Sequence, residues 1–521
     1  MSEGVKELQS YVGGKWLGGR GKPATLVNPA TGETLATTST EGIDMAAALT
    51  FARAAGAELR QMTFSERGQM LRGMSRAIHA HRDELIALAV ANAGNTRSDA
   101  KFDVDGASGT LAAYADLASQ LGDSRILVDG EAIQLGRGAR LFGQHFFVPR
   151  EGVAVHINAF NFPAWGLAEK AAVALLAGVP VVSKPATSTA LLSHRLVEIL
   201  IAEKLLPVGA FSFLAGSTGD LLDHMEGQDV LAFTGSSDTG IKLRGGKSVL
   251  AHSVRVNVEA DSLNAAVLGP DGEEGSEVLN MFIGDVFRDM TQKTGQKCTA
   301  IRRVYVPRAR VPAVVDLLRE RLFAVKVGDP AREEVTMGPL ATMQQLKDVR
   351  EGVGRLASSA RVILGNATEV TAIGGTEKGA FMSPVLLHGD KPDPRDAVHQ
   401  HEVFGPVATV MPYEGDVGSV AALVRAGGGG LVSSVYSDDK TFVKELVLAI
   451  APYHGRVTVN SSKISGQAIP PGTVLPQLVH GGPGRAGGGE ELGGRRGLSF
   501  YMQRVAIQGD RAFVEAMSDK S

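Results

Sequence analysis

Only one cysteine, Cys298, occurs among 521 residues. A lone thiol cannot close an intramolecular disulfide and is too few for a cysteine-based metal site or redox pair; the composition predicts a reducing compartment, the cytoplasm, and no bound metal. The opening "MSEGVKELQS" lacks the basic-then-apolar layout of a secretory leader, so export is not expected. Long apolar runs are also missing. The longest, Ala171 to Val182, is interrupted by Gly178 and Pro180, falls short of the roughly 20 residues that cross a bilayer, and predicts a buried helix running into a strand. Neither charge dominates, with 53 Lys plus Arg against 56 Asp plus Glu. No overall basic field is present to attract nucleic acid.

Glycine, by contrast, is plentiful: 64 residues, about 12% against the usual ~7%. Backbone that passes close to phosphates and substrates uses glycine in this way, as do loop-rich folds. The length predicts two to four domains. From Phe64 to Ala118 apolar residues recur at mixed spacings of three and four, which predicts helix. The stretch "ARLFGQHFFVPREGVAVHINAF" is strand-like, and from "GVAVHIN" onward short apolar strands alternate with helices: "PAWGLAEKAAVALLAG", "VPVVSKP", "TALLSHRLVEILIAEKLL", "AFSFLAG", "VLAFTGS", "SDTGIKLR". That rhythm predicts a parallel, doubly wound sheet with ligands at the strand carboxyl ends. A second alternating region runs from near Glu259 past Val457. A glycine-rich loop beginning "HGGPGRAGGG" follows, predicted to be held in place by a strand "SFYMQRVAIQ".

The cysteine sits in "TGQKCTA", residues 294 to 300. Four other pieces accompany it: "NAFNFPAWG" with Asn161, "VVSKPATST" with Lys184, "LAFTGSSDTG" with Gly235, Ser236 and Gly240, and "VNVEADSLN" with Glu259, 39 residues before Cys298.

Taken in this order, with "NPATGE" at 28–33 and "EVFGPV" at 402–407, these motifs resemble the aldehyde dehydrogenase superfamily over nearly the whole chain. The resemblance implies an α/β fold of two doubly wound domains plus a small β element for oligomerisation. Residues 1–128 and 150–258 would bind the cofactor, 259–480 would form the catalytic domain, and 129–149 with 481–521 would form the oligomerisation element of a homodimer. It implies that Cys298 is the nucleophile, that Asn161 and the Cys298 backbone N–H hold the oxyanion, and that Glu259 is the base for deacylation, its pKa raised by burial. The usual Glu-Leu-Gly-Gly is here Glu259-Ala260-Asp261-Ser262, and the interval to the cysteine is somewhat long.

No G-x-G-x-x-G follows the strands. The family instead places a glycine-serine turn at the pyrophosphate, matched by Gly235, Ser236 and Gly240, and a lysine at the adenosine ribose, matched by Lys184. Glu402 and Phe404 match the nicotinamide ribose and ring contacts. Where members preferring NAD often carry a glutamate, this chain has Thr187, followed by Ser188; the missing charge admits the 2′-phosphate of NADP, with NAD still possible. In detail the chain is similar to members that oxidise ring-opened, CoA-linked semialdehydes of bacterial aromatic catabolism. As a stand-alone chain it fits the benzoate epoxidation branch, with 3,4-dehydroadipyl-CoA semialdehyde as substrate. A phenylacetate-type semialdehyde or free aldehydes are the alternatives. An acylating enzyme that passes its thioester to CoA commonly lacks the general-base glutamate, and a scaffold without turnover would not keep Asn161, Glu259 and Cys298 together.

Overall fold

In a computed structural model describing residues 5–517, two seven-stranded sheets carry the chain. The first four residues of the polar N-terminal stretch, 1–4, and the end of the C-terminal segment, 518–521, lie outside the described residues. The first sheet runs in the order Arg255–Glu259, Val230–Thr234, Ala154–Ile157, Val181–Lys184, Phe211–Phe213, then the hairpin Ser10–Val12 and Lys15–Leu17. Its first five strands are parallel and the hairpin is antiparallel. Thr234 pairs with Glu259 and Ile157 with Lys184, so four strands end together along one edge. The second sheet runs Arg361–Leu364, Val385–His388, Val407–Tyr413, Arg303–Pro307, Ala265–Leu268, Gly430–Tyr436, His454–Asn460, parallel except at its first pair. This is the α/β architecture that the strand–helix rhythm predicts.

The apolar run resolves as expected into helix Trp165–Leu176 followed by strand Val181–Lys184. Every residue of that helix except Gly166 is buried. Its docking is tight: a Cβ on Gly106, in helix Arg97–Leu121, would meet the Trp165 ring at 2.1 Å. Asp103 of the same helix accepts the Trp165 N–H at 2.8 Å, and the Trp165 indole donates to Thr110 at 2.9 Å. The start of this helix, and with it Asn161 just upstream, is therefore fixed against the helical layer. The region from Phe64 to Ala118 is helical as predicted, in three segments from Phe64 to Leu121. Among the described residues no helix is long and apolar enough to cross a membrane.

The C-terminal prediction needs correction. The residues "SFY" are not strand; helix Arg495–Tyr501 precedes strand Met502–Asp510. Gly497, Leu498 and Tyr501 are its buried residues, a helical spacing that puts the apolar groups on one face. The strand then pairs along its length with Leu141–Pro149, which also pairs with Leu127–Gln134, making a three-stranded antiparallel ribbon. The glycine-rich loop is held in place, as expected: the Ala260 N–H donates to the Ala486 carbonyl at 3.0 Å, and a Cβ on Gly487, at φ +100°, would meet the Val258 carbonyl oxygen at 2.2 Å.

Candidate active site

The surroundings of Cys298 explain the glycine, glutamine and lysine that precede it. Lys293, Thr294 and Gly295 all have left-handed φ, at 52°, 56° and 68°. Only the glycine adopts this without strain; the others are held by anchors. Lys293 Nζ lies 4.3 Å from the Phe162 ring centroid and 3.9 Å from Asp103, and Thr294 Oγ1 donates to the Gly338 carbonyl at 2.9 Å. A Cβ on Gly295 would meet the Gly405 carbonyl oxygen at 2.2 Å, so the thiol loop packs directly on "EVFGPV". Gln296 Oε1 accepts the Ala341 N–H at 3.0 Å, and Lys297 Nζ pairs with Asp289 at 2.6 Å. Asn264 donates to the Cys298 and Ala300 carbonyls at 2.8 and 2.9 Å. Arg302, buried beneath the loop, donates to the carbonyls of Gly405, Gly295 and Lys297. Cys298 therefore stands on a fixed loop.

Two cavities meet at this thiol. The narrower is lined by Phe102, Phe162, Trp165 and Val474 with Glu169 and His480; the wider, of about 390 Å³, by Phe160, Gly235, Ser236, Asp261, Glu402 and Phe404. Asn161, Glu259 and Cys298 line both. The Asn161 amide donates one N–H to the Gln296 carbonyl at 3.0 Å, which fixes its orientation and leaves its second N–H for another acceptor. Glu259, at the end of strand Arg255–Glu259, is buried, and among the described residues neither of its oxygens has a directed hydrogen-bond donor. Its remaining lone pairs can accept from water or substrate.

His480, on strand Val479–Gly482, completes the cluster. Its Nε2 lies 3.2 Å from Glu259 Oε2 and 3.8 Å from Cys298 Sγ. The strand pairs with Gly489–Leu492, putting His480 opposite Glu491, and Lys170 Nζ lies 3.2 Å from Glu491 and 3.5 Å from Glu169. The expected rise in the pKa of Glu259 is therefore overturned. Burial does push it up, but His480 in its protonated form, with a smaller contribution from Lys170, outweighs burial and holds the carboxylate below its usual range. Burial would lower His480, yet Glu259 raises it. The Cys298 thiol is pushed well above its ordinary range by burial first and then by Glu259. His480, Glu169, Lys170, Glu491 and Arg302 were not singled out from sequence. A Glu-Lys pair inside an otherwise apolar helix was the visible signal for two of them. Nothing local marks His480 among glycines.

The cofactor-side residues divide. Gly235, Ser236, Glu402 and Phe404 line the wider cavity. Lys184, Thr187 and Ser188 do not, although Ala186 among them does; Lys184 ends its strand half-buried, its pKa lowered by desolvation. Gly240 is buried inside helix Ser237–Arg244, where a Cβ would meet Val258 at 2.9 Å. Ser236 caps this helix. Asp261, where the family usually has glycine, accepts the Ser237 N–H at 3.2 Å and so already engages one of the helix-terminal donors. Glu402 accepts the Ser262 N–H through Oε2, while its buried Oε1 has no hydrogen-bond partner among the described residues. Burial raises this carboxyl to about 8. An orphaned carboxyl oxygen in the cavity wall fits a sugar hydroxyl, and a serine-capped helix start fits a phosphate. These residues accommodate a nicotinamide dinucleotide.

The aldehyde dehydrogenase family profile matches residues 16–507. The chain belongs to this family. As an aldehyde dehydrogenase it is an NAD(P)-dependent oxidoreductase acting on an aldehyde. It is 45% identical over 479 residues to the 3,4-dehydroadipyl-CoA semialdehyde dehydrogenase of Aromatoleum evansii, covering 92% of this chain and 93% of that one. Solved structures share the fold: a 3,6-anhydro-L-galactose dehydrogenase superposes with a TM-score of 0.84 at 23% identity, covering 97% of this chain and all of the other. The betaine aldehyde dehydrogenase of Staphylococcus aureus, solved with NAD+, has a TM-score of 0.83 at 22% identity, covering 96% and 94%.

Proposed function

We propose that this aldehyde dehydrogenase oxidises the aldehyde group of a CoA-thioester semialdehyde, 3,4-dehydroadipyl-CoA semialdehyde, to the acid, with NADP as cofactor, in the cytoplasmic breakdown of aromatic compounds such as benzoate. The likeness to the Aromatoleum enzyme supports the substrate. The observation that carries the chemistry is the position of Cys298, lining both a narrow aromatic-walled cavity and a wider one with Asn161 and Glu259. In this reading the sheet ending at Glu259 carries the cofactor, and the sheet that follows carries the nucleophile.

Cys298 Sγ attacks the carbonyl carbon, and the carbonyl oxygen becomes an oxyanion that receives the second Asn161 N–H and the Cys298 backbone N–H. The nicotinamide, when bound, supplies the hydride acceptor. Glu259 then takes a proton from the water that attacks the thioester, and sulfur leaves as thiolate. A low carboxylate pKa makes Glu259 a weaker base than one tuned to neutrality, but keeps it ionised throughout the working range.

A screen of free aldehydes against CoA-linked semialdehydes, each with NAD and NADP, tests the reading. The highest kcat/KM is expected for the dehydroadipyl substrate with NADP; a free aldehyde or the phenylacetate-type semialdehyde in first place would replace the proposed substrate. Thr187→Glu should weaken NADP by on the order of a hundredfold more than NAD, because a carboxylate beside a 2′-phosphate costs several kcal/mol. Equal losses would remove residue 187 as the discriminator.

Assembly is part of the proposal. The ribbon exposes Ile133, Leu135, Leu141 and Val505, with Phe513 beyond it, and its outer strands present unpaired edges. A dimer, or a multiple of dimers, is expected in size-exclusion with light scattering. A monomer at micromolar concentration contradicts this.

A further inference from the structure

We infer that His480 is the base that takes the Cys298 thiol proton, so that the nucleophile acts as a thiolate–imidazolium pair backed by Glu259. The inference deepens the proposed mechanism and rests on it. Three observations carry it. A single atom, His480 Nε2, faces both the sulfur at 3.8 Å and the carboxylate at 3.2 Å. One oxygen, one sulfur and one nitrogen of Glu259, Cys298 and His480 all lie within 4.8 Å of one another. The thiol, moreover, sits where burial and a neighbouring carboxylate both oppose its ionisation, so without a local acceptor it would be a poor nucleophile at neutral pH.

The step balances as follows. The S–H bond breaks, its electron pair stays on sulfur, and the proton forms an N–H bond at Nε2 of neutral His480. The imidazolium then lies between two anions, the thiolate and Glu259. When the thioester is hydrolysed, the departing sulfur takes the same proton back. The groups facing His480 from its neighbours are Glu259, Cys298, Glu169 and Lys170, Glu491 on the paired strand, and Arg456. Arg456 works against the imidazolium, while Glu259 and Glu169 favour it. The net upward direction is what a proton acceptor in this position requires.

The test is the rate of Cys298 alkylation by iodoacetamide against pH, on which this chain's single cysteine gives an unambiguous signal. Against the upward push of burial and Glu259, pairing with the His480 imidazolium should bring the wild-type transition below the ordinary thiol value of about 8.5. In His480→Gln that transition should move up by at least about one unit, roughly tenfold less thiolate at pH 7, with a matching loss in the pre-steady-state NADPH burst and unchanged NADP affinity. Added imidazole should partly restore the burst in His480→Ala, which a merely space-filling role would not produce. An unchanged profile in His480→Gln overturns the inference, as does an absence of imidazole rescue. Should neither variant fold by circular dichroism, the wild-type profile decides: a single transition above 8.5 overturns it. Failure of wild type to oxidise any aldehyde would instead remove the proposed activity, since the alkylation profile is read without substrate.

Discussion

Replacing Cys298 by alanine should abolish NADPH formation from the aldehyde, with kcat/KM falling by on the order of 10⁴ to 10⁶, the range seen when an enzyme loses its nucleophile. The loss should be almost purely chemical. The loop is held by Asn264, Arg302, Lys297 and Gln296, none of which needs the sulfur. Cofactor affinity and melting temperature should therefore stay close to wild type. Steady-state assays beside a thermal melt decide it: substantial turnover in the alanine variant would end the covalent mechanism.

Glu259→Gln should slow deacylation by roughly 10² to 10⁴, the usual worth of a positioned general base, and slow acylation by much less, through the weaker support of His480. The trace expected is a burst of NADPH followed by slow turnover. Loss of the burst with normal steady turnover would take the deacylation role from Glu259. The same variant carries a stability signature. Folding lowers the Glu259 pKa, so the carboxylate contributes stability above its ordinary value of about 4.3, lost as pH falls through the folded value. Glu259→Gln should melt below wild type at pH 7, and the gap should narrow in acid.

The parts of the molecule legible in sequence are those whose signal is local. Alternating apolar strands and helices announced the parallel sheet, and "NFP", "VNVE" and "GQKC" announced three residues that line the same two cavities although 137 positions separate Asn161 from Cys298. The electrostatics were not legible, because burial of Glu259 was visible in its apolar flanks but its partner was not. His480 comes 221 positions later, amid glycines, and reaches Glu259 only through a two-stranded sheet formed with Gly489–Leu492. The helix Arg495–Tyr501 was misread for a related reason: "SFY" is rich in strand-favouring aromatics, and tertiary burial of Leu498 and Tyr501 overrode that preference.

The wiring of the catalytic cluster also bears on how activity appears during folding. The thiol's loop is braced by residues around 405, the proposed base sits at 259 and the imidazole facing it at 480, so the site needs distant segments brought together late and over long loops. An intermediate in which both sheets had formed but the strand at 479–482 had not docked would carry most of the secondary structure, a reactive-looking cysteine and no working ion pair. Recovery of turnover after dilution from denaturant would then trail recovery of helical signal, making activity a reporter of the final docking step rather than of collapse.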